Sequence, residues 1–580
     1  MATATATATL ERARVPVGVH VALAVAWPVA LIAAVYAVVG RLGFYPSDEG
    51  LVQAYAWRIL HGEVPHRDFI SPLPLGSALI HLADFAVPGP LFEVSRVIAL
   101  SEYVAYSMVF AWLIFEIAPW SWSLLATIGA AGSVLVNLNV FPLMPWYTVD
   151  GLLMIATGYL VITRGVRVRD RRWVAAGFVI VGLAAVTKQS YVPAAAFGWF
   201  LLWPWWRELS WIPRFQAALV TGVLAALPLL TFLGVISALG GGSALRTQLL
   251  GDQLVYGRPL AAEWSPANDL WVVAPLVLAT AALTAGVSLA KNRTGWSLLG
   301  RVGVSGLILA VPLWARLGVN SLNWSLELTW VVIAFVGVRF VLLRSFDSAG
   351  PLLIGVAWMS MLSYGWAWTT FMAGTSVLYV LQRVWRDAGL PDRIKLPVHG
   401  AGLVAAALAL VLTTGLFVTT REQRVYLDRP ADQLTASLSD VSPAFGDIRT
   451  NPETHAYLLQ MVRCIREHPA RRIAVLPENP AIYPALGLDN PFPIDWMWPN
   501  AMRGSDGRIL ATADQLNREG DYLVLFQTFG QREVVGGGSL PPATIGEPVY
   551  GDTALIAEVY ARLQGARSVC GSFLVVYAPA

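Results

Sequence analysis

The sequence is poor in charge: Asp, Glu, Lys and Arg make up 13% of its 580 residues while 56% are hydrophobic, against about 25% and about 45–50% in soluble domains. With a mean hydropathy of +0.58, this excludes an ordinary soluble enzyme. Cysteine is nearly absent. The two that occur, Cys464 and Cys570, are too few for a disulfide scaffold, and the choice between one bond and two buried free thiols stays open. Histidine is scarce as well, seven residues with no helical metalloprotease motif and no Cys/His cluster, so no zinc site is expected. The net charge of +3 is too small for a nucleic-acid footprint and argues for no nucleic acid among the partners. Gly240-Gly241-Gly242 lacks the Lys-Ser/Thr ending of a phosphate-cradling loop and reads as a hinge.

What charge there is falls unevenly. Residues 421–580 carry 14 Arg and 18 Asp+Glu, leaving 26 Lys+Arg and 19 Asp+Glu for residues 1–420. The first region is strongly apolar and the second has ordinary soluble composition, which sets two domains, 1–420 and 421–580. His20 to Val39 is about the 20 residues that span a bilayer and is too long for a cleavable signal core. Twelve more apolar stretches follow, near 97–118, 122–140, 151–163, 173–187, 191–204, 216–237, 270–290, 302–318, 326–343, 351–366, 369–382 and 398–419. Several are short, so broken or re-entrant helices are expected in 173–204 and 351–382. The fold class is an α-helical polytopic membrane protein of about 13 transmembrane helices with a C-terminal α/β domain.

Orientation follows from the loops. Arg164, Arg167, Arg169, Arg171 and Arg172, then Arg207 and Arg214, Lys291, Arg293 and Arg301, and Arg383, Arg386, Arg393 and Lys395 fall on one side. The longer opposite loops carry chiefly Arg41, Arg58, Arg67, Arg246 and Arg258. The positive-inside rule makes the N-terminus cytoplasmic and the C-terminal domain extracytoplasmic. In that domain, short β-like runs at Arg472–Leu476, Tyr522–Phe526 and Ser572–Tyr577 alternate with helical patterns at His455–Glu467 and Ala554–Leu563.

Polar residues concentrate in the first external loop, 41–95. After Asp48-Glu49-Gly50, the run Leu51–His61 places Leu51, Tyr55 and Ile59 at spacings of four, an amphipathic helix along the membrane surface. Asp48 suits its N-cap and Glu49 the positive end of its dipole. A second external site is Pro145-Trp146-Tyr147-Thr148-Val149-Asp150-Gly151, where Asp150 either caps the next span or, with Tyr147, lines a substrate path.

Loop one resembles the first external loop of polytopic glycosyltransferases of the GT-C superfamily, which includes protein O-mannosyltransferases, aminoarabinose transferases of lipid A and arabinofuranosyltransferases. The resemblance rests on Asp48-Glu49 after the first span, on Arg58-Ile59-Leu60-His61-Gly62-Glu63-Val64-Pro65-His66-Arg67-Asp68-Phe69, on Thr187-Lys188-Gln189 and on Arg472–Pro477. Ser71-Pro72-Leu73-Pro74-Leu75 departs from the more polar run of many relatives, so the donor's identity does not carry over. The resemblance implies an inverting glycosyltransferase at the cell membrane that moves a sugar from a polyprenyl-phosphate lipid to a cell-envelope glycan, glycolipid or protein on the external face. A sugar phosphate is already activated, so the protein must deprotonate an acceptor hydroxyl and stabilise the leaving phosphate. Asp48 is the expected base, with Glu49 in support. Lys188, Arg58 and Arg67 are the candidate phosphate ligands, and Asp150, Tyr147 and His66 the candidate acceptor contacts. For these residues the plainer roles are a helix cap, snorkelling to the interface, local ion pairs and a solvated loop. No cofactor is required for a monophosphate donor, although Asp48, Glu49 and Asp150 offer oxygen ligands for a divalent cation. The competing readings are a polytopic transporter or lipid flippase of envelope precursors, which usually shows repeated halves that this sequence lacks, and an envelope assembly protein with an exported binding domain.

Overall fold

The computed structural model describes residues 17–116, 124–138, 143–250, 270–289, 294–318, 324–343, 347–362, 370–386, 392–423, 425–497, 502, 504–535, 539–546, 549–550 and 554–580. Arg12, Arg14, Arg258, Trp264, Lys291 and Arg293 lie outside the described residues. The chain is mostly helical, 71%, with a small sheet near its C-terminus.

The principal helices of the first region are α1 (Val17–Val35), α2 (Leu51–Leu60), α3 (Leu91–Phe115), α4 (Leu124–Leu138), α5 (Tyr147–Val168), α6 (Arg171–Thr187), α7 (Trp211–Ile236), α8 (Leu270–Leu289), α9 (Thr294–Gly318), α10 (Trp324–Leu343), α11 (Ala349–Met361), α12 (Thr370–Arg386) and α13 (Asp392–Gln423). Apart from α2, which runs through loop one, each answers one apolar stretch of the sequence. The exception is 191–204, which breaks into short helical pieces where Pro193 and Pro204 remove backbone donors. Three helical segments are long and apolar enough to cross a bilayer among the described residues: Leu91–Phe115, Tyr147–Val168 and Trp211–Leu249, with six shorter apolar helices beside them. The last of the three runs on past α7 through a kink at Gly240, whose φ of +91° only glycine adopts readily, so the expected hinge bends a helix that continues to Leu250.

The outer surface of this region is apolar. Along α7, Trp211, Phe215, Leu219 and Val223 stand at spacings of four, each more than half exposed, and Val411 and Leu412 of α13 are exposed to a similar degree. Such a band has no place against water and suits association with a membrane. Inside, α5 and α6 cross at Gly158 and Gly177, where a Cβ on either would lie 2.8 Å from the other's carbonyl oxygen. Small residues allow this approach, as is common between helices in lipid.

The C-terminal region builds a four-stranded sheet from β1 (Arg472–Leu476), β2 (Tyr522–Gln527), β3 (Ala566–Cys570) and β4 (Phe573–Ala578), in the order β1-β2-β4-β3. β1 and β2 are parallel, with Arg472 opposite Tyr522, and β4 runs antiparallel to both β2 and β3. Helices α14 (Pro452–Glu467), α15 (Asp506–Glu519) and α16 (Ala554–Arg562) bury their apolar stripes on its two faces. The two cysteines form a disulfide joining α14 to the end of β3.

This region roofs loop one. Phe44 and Phe92 enter the apolar cluster under α14, and Ile70 enters the one under α15. The backbone is stitched as well: Phe44 donates to Asp428 at 3.0 Å, Ile70 to the Pro493 carbonyl at 2.6 Å, Gly43 to the Arg449 carbonyl at 2.8 Å and Arg449 to the Arg41 carbonyl at 2.7 Å.

Candidate functional site

The site is assembled from loop one, the starts of α5 and the C-terminal turn of α6, and the segment after α13. Asp48 lies in the turn before α2. It does not cap that helix. The N-cap position is Gly50 at φ +96°, without a side-chain capping bond, and a Cβ there would strike the backbone of Ala481. Asp48 instead accepts a 2.6 Å hydrogen bond from the Tyr426 phenol. Burial, and after it the charge of Asp48, pushes the Tyr426 hydroxyl well above its ordinary value; Tyr147 acts on it in the same sense. The Tyr426 hydroxyl is thus held protonated as a donor toward Asp48.

Glu49, one residue on, points elsewhere. Arg96 of α3 grips it through two bonds, Nε to Oε1 at 2.7 Å and Nη2 to Oε2 at 2.8 Å, while the same guanidinium donates to the carbonyls of Gly40 and Gly43. A buried bidentate pair of this kind fixes the exit of α1 relative to α3. The neighbours therefore divide, one carboxylate turned toward Tyr426 and the other engaged in the scaffold.

The three candidate phosphate ligands divide in the same way. Arg58 bonds Asp495 through Nε at 2.7 Å and Nη2 at 2.9 Å, Glu63 through Nη1 at 2.8 Å and the Phe492 carbonyl at 2.6 Å. It clamps α2 to the C-terminal region. Arg67 is exposed and pairs with Asp68 at 2.7 and 2.8 Å. Lys188 is only 2% exposed and has no carboxylate within ion-pair reach among the described residues. Its Nζ donates to Thr148 Oγ1 at 3.2 Å and to the Ser360 carbonyl at 3.1 Å. The rings of Tyr147 and Tyr191 flank it at 5.6 and 5.7 Å, a stabilising but incomplete substitute for a counter-ion. Tyr147 thus bears on both the Lys188 ammonium and the Tyr426 phenol that holds Asp48.

The packing that makes this arrangement is local and tight. Tyr191 donates to the Thr148 carbonyl at 2.9 Å, and Gln189 to the Pro72 carbonyl at 2.8 Å. Gly151 stands where a Cβ would run into the Tyr191 ring at 2.2 Å, so the small residue lets Tyr191 reach Thr148.

His66 is buried at φ +64°. Its Nδ1 bonds Gln248 Oε1 at 2.7 Å, and burial holds the imidazole down at about 4, so it is neutral at physiological pH. Asp150 is fully buried and does not cap α5, whose N-cap is Trp146. It faces His81. Sequence reasoning did not single out Tyr426, Arg96, Asp495, His81 or Glu102; their partners lie 47 to 437 residues away or on another element, and no spacing announces such pairs. A separate groove of about 760 Å³ runs between Val38, Arg421 and Pro430 and does not include Asp48 or Lys188 among its walls.

No known protein family matches the chain, and no curated protein is similar to it.

Proposed function

We propose that this protein is an integral membrane glycosyltransferase of the GT-C type, with about 13 spans, that transfers a sugar from a polyprenyl-phosphate lipid to a hydroxyl of an envelope glycan, glycolipid or protein. The observation that carries the reading is Lys188, a buried cationic side chain with no carboxylate in ion-pair reach among the described residues. An uncompensated charge in a desolvated site costs several kcal/mol, and an anionic group arriving from outside the chain would repay it. A lipid phosphate suits a cation at the end of a helix that follows a long apolar run.

Asp48 supplies the complementary chemistry. In the proposed step the acceptor oxygen attacks the anomeric carbon as its proton passes to Asp48, the bond between that carbon and the phosphate oxygen breaks, and the phosphate leaves with the electron pair beside Lys188. Attack opposite the leaving group inverts the anomeric centre. Tyr426 orients the Asp48 carboxylate by its 2.6 Å bond, and Thr148 and Tyr147 hold Lys188 in place. Glu49, Arg58 and Arg67 act through structure, since protein partners occupy them.

The disulfide supports an extracytoplasmic C-terminal domain, because such bonds persist in oxidising compartments, and Asp48 lies against that domain. Mass spectrometry of lipid co-purified with the full chain tests the reading. The expected result is a polyprenyl phosphate or its sugar ester in the wild type and its depletion in Lys188→Met. Equal retention of ordinary phospholipid alone by both proteins would overturn it.

A further inference from the structure

His81, Glu102 and Asp150 come from three different elements: the turn after the short helix Gly76–Ile80, the middle of α3 and the first turn of α5. One ligand atom from each lies within 4.8 Å of the others, and all three residues are buried. Glu102 Oε2 and Asp150 Oδ2 have no hydrogen-bond partner among the described residues, and Asp150 is 0% and Glu102 7% exposed. Among the described residues, no lysine or arginine pairs with either carboxylate, and Asp150 faces the His81 imidazole.

The imidazole is set from behind. His81 Nδ1 lies 3.0 Å from both oxygens of Asp84, and Ser95 Oγ donates to Asp84 Oδ2 at 2.5 Å. A proton on Nδ1 satisfies that carboxylate and leaves the Nε2 lone pair turned toward Asp150 Oδ1 at 3.4 Å. That distance is long for a hydrogen bond, whose usual range is about 2.7–3.2 Å. It equals the edge of a tetrahedron whose ligands stand about 2.1 Å from a zinc ion, which is about 3.4 Å. A carboxylate behind a histidine, fixing which nitrogen is bare, is the usual support of a metal-binding imidazole. Three buried carboxylates share one imidazole, and no lysine or arginine among the described residues pairs with them, so the cluster calls for further positive charge.

We propose that His81 Nε2, Glu102 and Asp150 bind a divalent transition-metal cation of the zinc class, with Asp84 and Ser95 as its outer support. The ion ties loop one, α3 and α5 together, two residues from Thr148. This assignment is independent of the glycosyl-transfer reading, and its test has no need of turnover.

The full chain, purified in detergent with any tag removed, is stripped with a chelator, reloaded with Zn²⁺ and, separately, Mn²⁺, and its metal content is measured. The expected result is about one zinc per chain, falling at least tenfold in Glu102→Gln and in Asp150→Asn. His455→Ala, which removes a half-buried histidine of the C-terminal region paired with Asp440, should keep the full equivalent. X-ray absorption at the zinc edge of the wild type should show imidazole scattering in an otherwise oxygen shell, and this arm survives even if the variants do not fold. A wild type that holds less than a tenth of an equivalent of either ion would overturn the proposal, assigning the cluster to carboxylates that share a proton. So would an absorption spectrum without imidazole, or variants of the cluster that keep their zinc.

Discussion

Arg58 and Lys188 are both buried cations flanking loop one, and their surroundings are opposite. Arg58, where α2 meets the C-terminal region, is bonded to two carboxylates and a carbonyl. Lys188, where α6 meets α5 and α11, has a hydroxyl, a carbonyl and two aromatic rings. A charge neutralised inside the chain builds structure, whereas one left to neutral donors and rings is, under the proposed function, the one an incoming phosphate would neutralise. The same contrast separates Glu49, locked by the Arg96 guanidinium, from Asp48, which accepts from the Tyr426 phenol. It predicts that substitutions on the Arg58 side act on stability and those on the Lys188 side act on ligand and turnover.

The largest effect is expected at Asp48. Asn keeps an oxygen to accept from Tyr426 and, since Asp48 is not the helix cap, puts no capping bond at risk. Asp48→Asn should therefore fold normally and bind donor while losing about 10²–10⁴-fold in transfer, the usual weight of a general base. The assay is single-turnover transfer from a polyprenyl-phosphate sugar with membrane extract as acceptor source. Transfer near the wild-type rate would remove the base from Asp48.

Next comes the Arg58 clamp. Removing one partner of a buried pair leaves the other uncompensated, at about 3–5 kcal/mol. Arg58→Met should lower the melting temperature and open the 421–580 region to proteolysis, and Asp495→Asn added to it should recover part of the loss. The fraction that stays folded should bind donor as the wild type does. Weakened donor binding with unchanged stability would instead make Arg58 a ligand and erase its contrast with Lys188.

Lys188→Met should do the reverse. The methionine keeps an apolar stem and removes an unmatched charge, so stability should hold or rise. Loss of a charged hydrogen bond to phosphate, about 1.5–3 kcal/mol, should weaken donor affinity about 10–100-fold, with Lys188→Arg less affected. Unchanged affinity in isothermal titration with the phosphate lipid would return Lys188 to a snorkelling role.

Some of this was legible in the sequence because hydropathy is local. Each apolar stretch became a helix, apart from 191–204, and even that break is written in Pro193 and Pro204. The runs at Arg472, Tyr522 and Ser572 became strands β1, β2 and β4. Strand β3 escaped notice, since Ala566–Cys570 is an edge strand with most of its residues exposed and no apolar alternation to reveal it. The turn at Asp48-Glu49 was found, but its cap was misplaced: Gly50 takes that position, its left-handed backbone pressed against Ala481. Partnerships were out of reach. Tyr426 is 378 residues from Asp48, and Asp495 is 437 from Arg58. That Lys188 has no carboxylate in ion-pair reach among the described residues depends on neighbours brought together in space, which no single stretch of sequence contains.

The smallest expected effect tests the boundary between the two sides, at His66. Its imidazole sits under Arg508, which donates to the His66 carbonyl at 3.2 Å, and beside Gln248. Its pKa is about 4 in the folded chain and about 6.5 when unfolded. The unfolded state therefore binds the extra proton between these values, and stability is full above about pH 6.5 and falls as the pH drops toward 4. At pH 5 the loss is about 2 kcal/mol. Melting curves of the full chain at pH 7.5 and pH 5 should show this decline, and His66→Asn should flatten it, since asparagine tolerates the positive φ and does not titrate. If His66 also contacts an acceptor, the Asn variant would in addition lose transfer at pH 7.5, which would move the edge of the binding region past Gln248 and onto the Arg58 side.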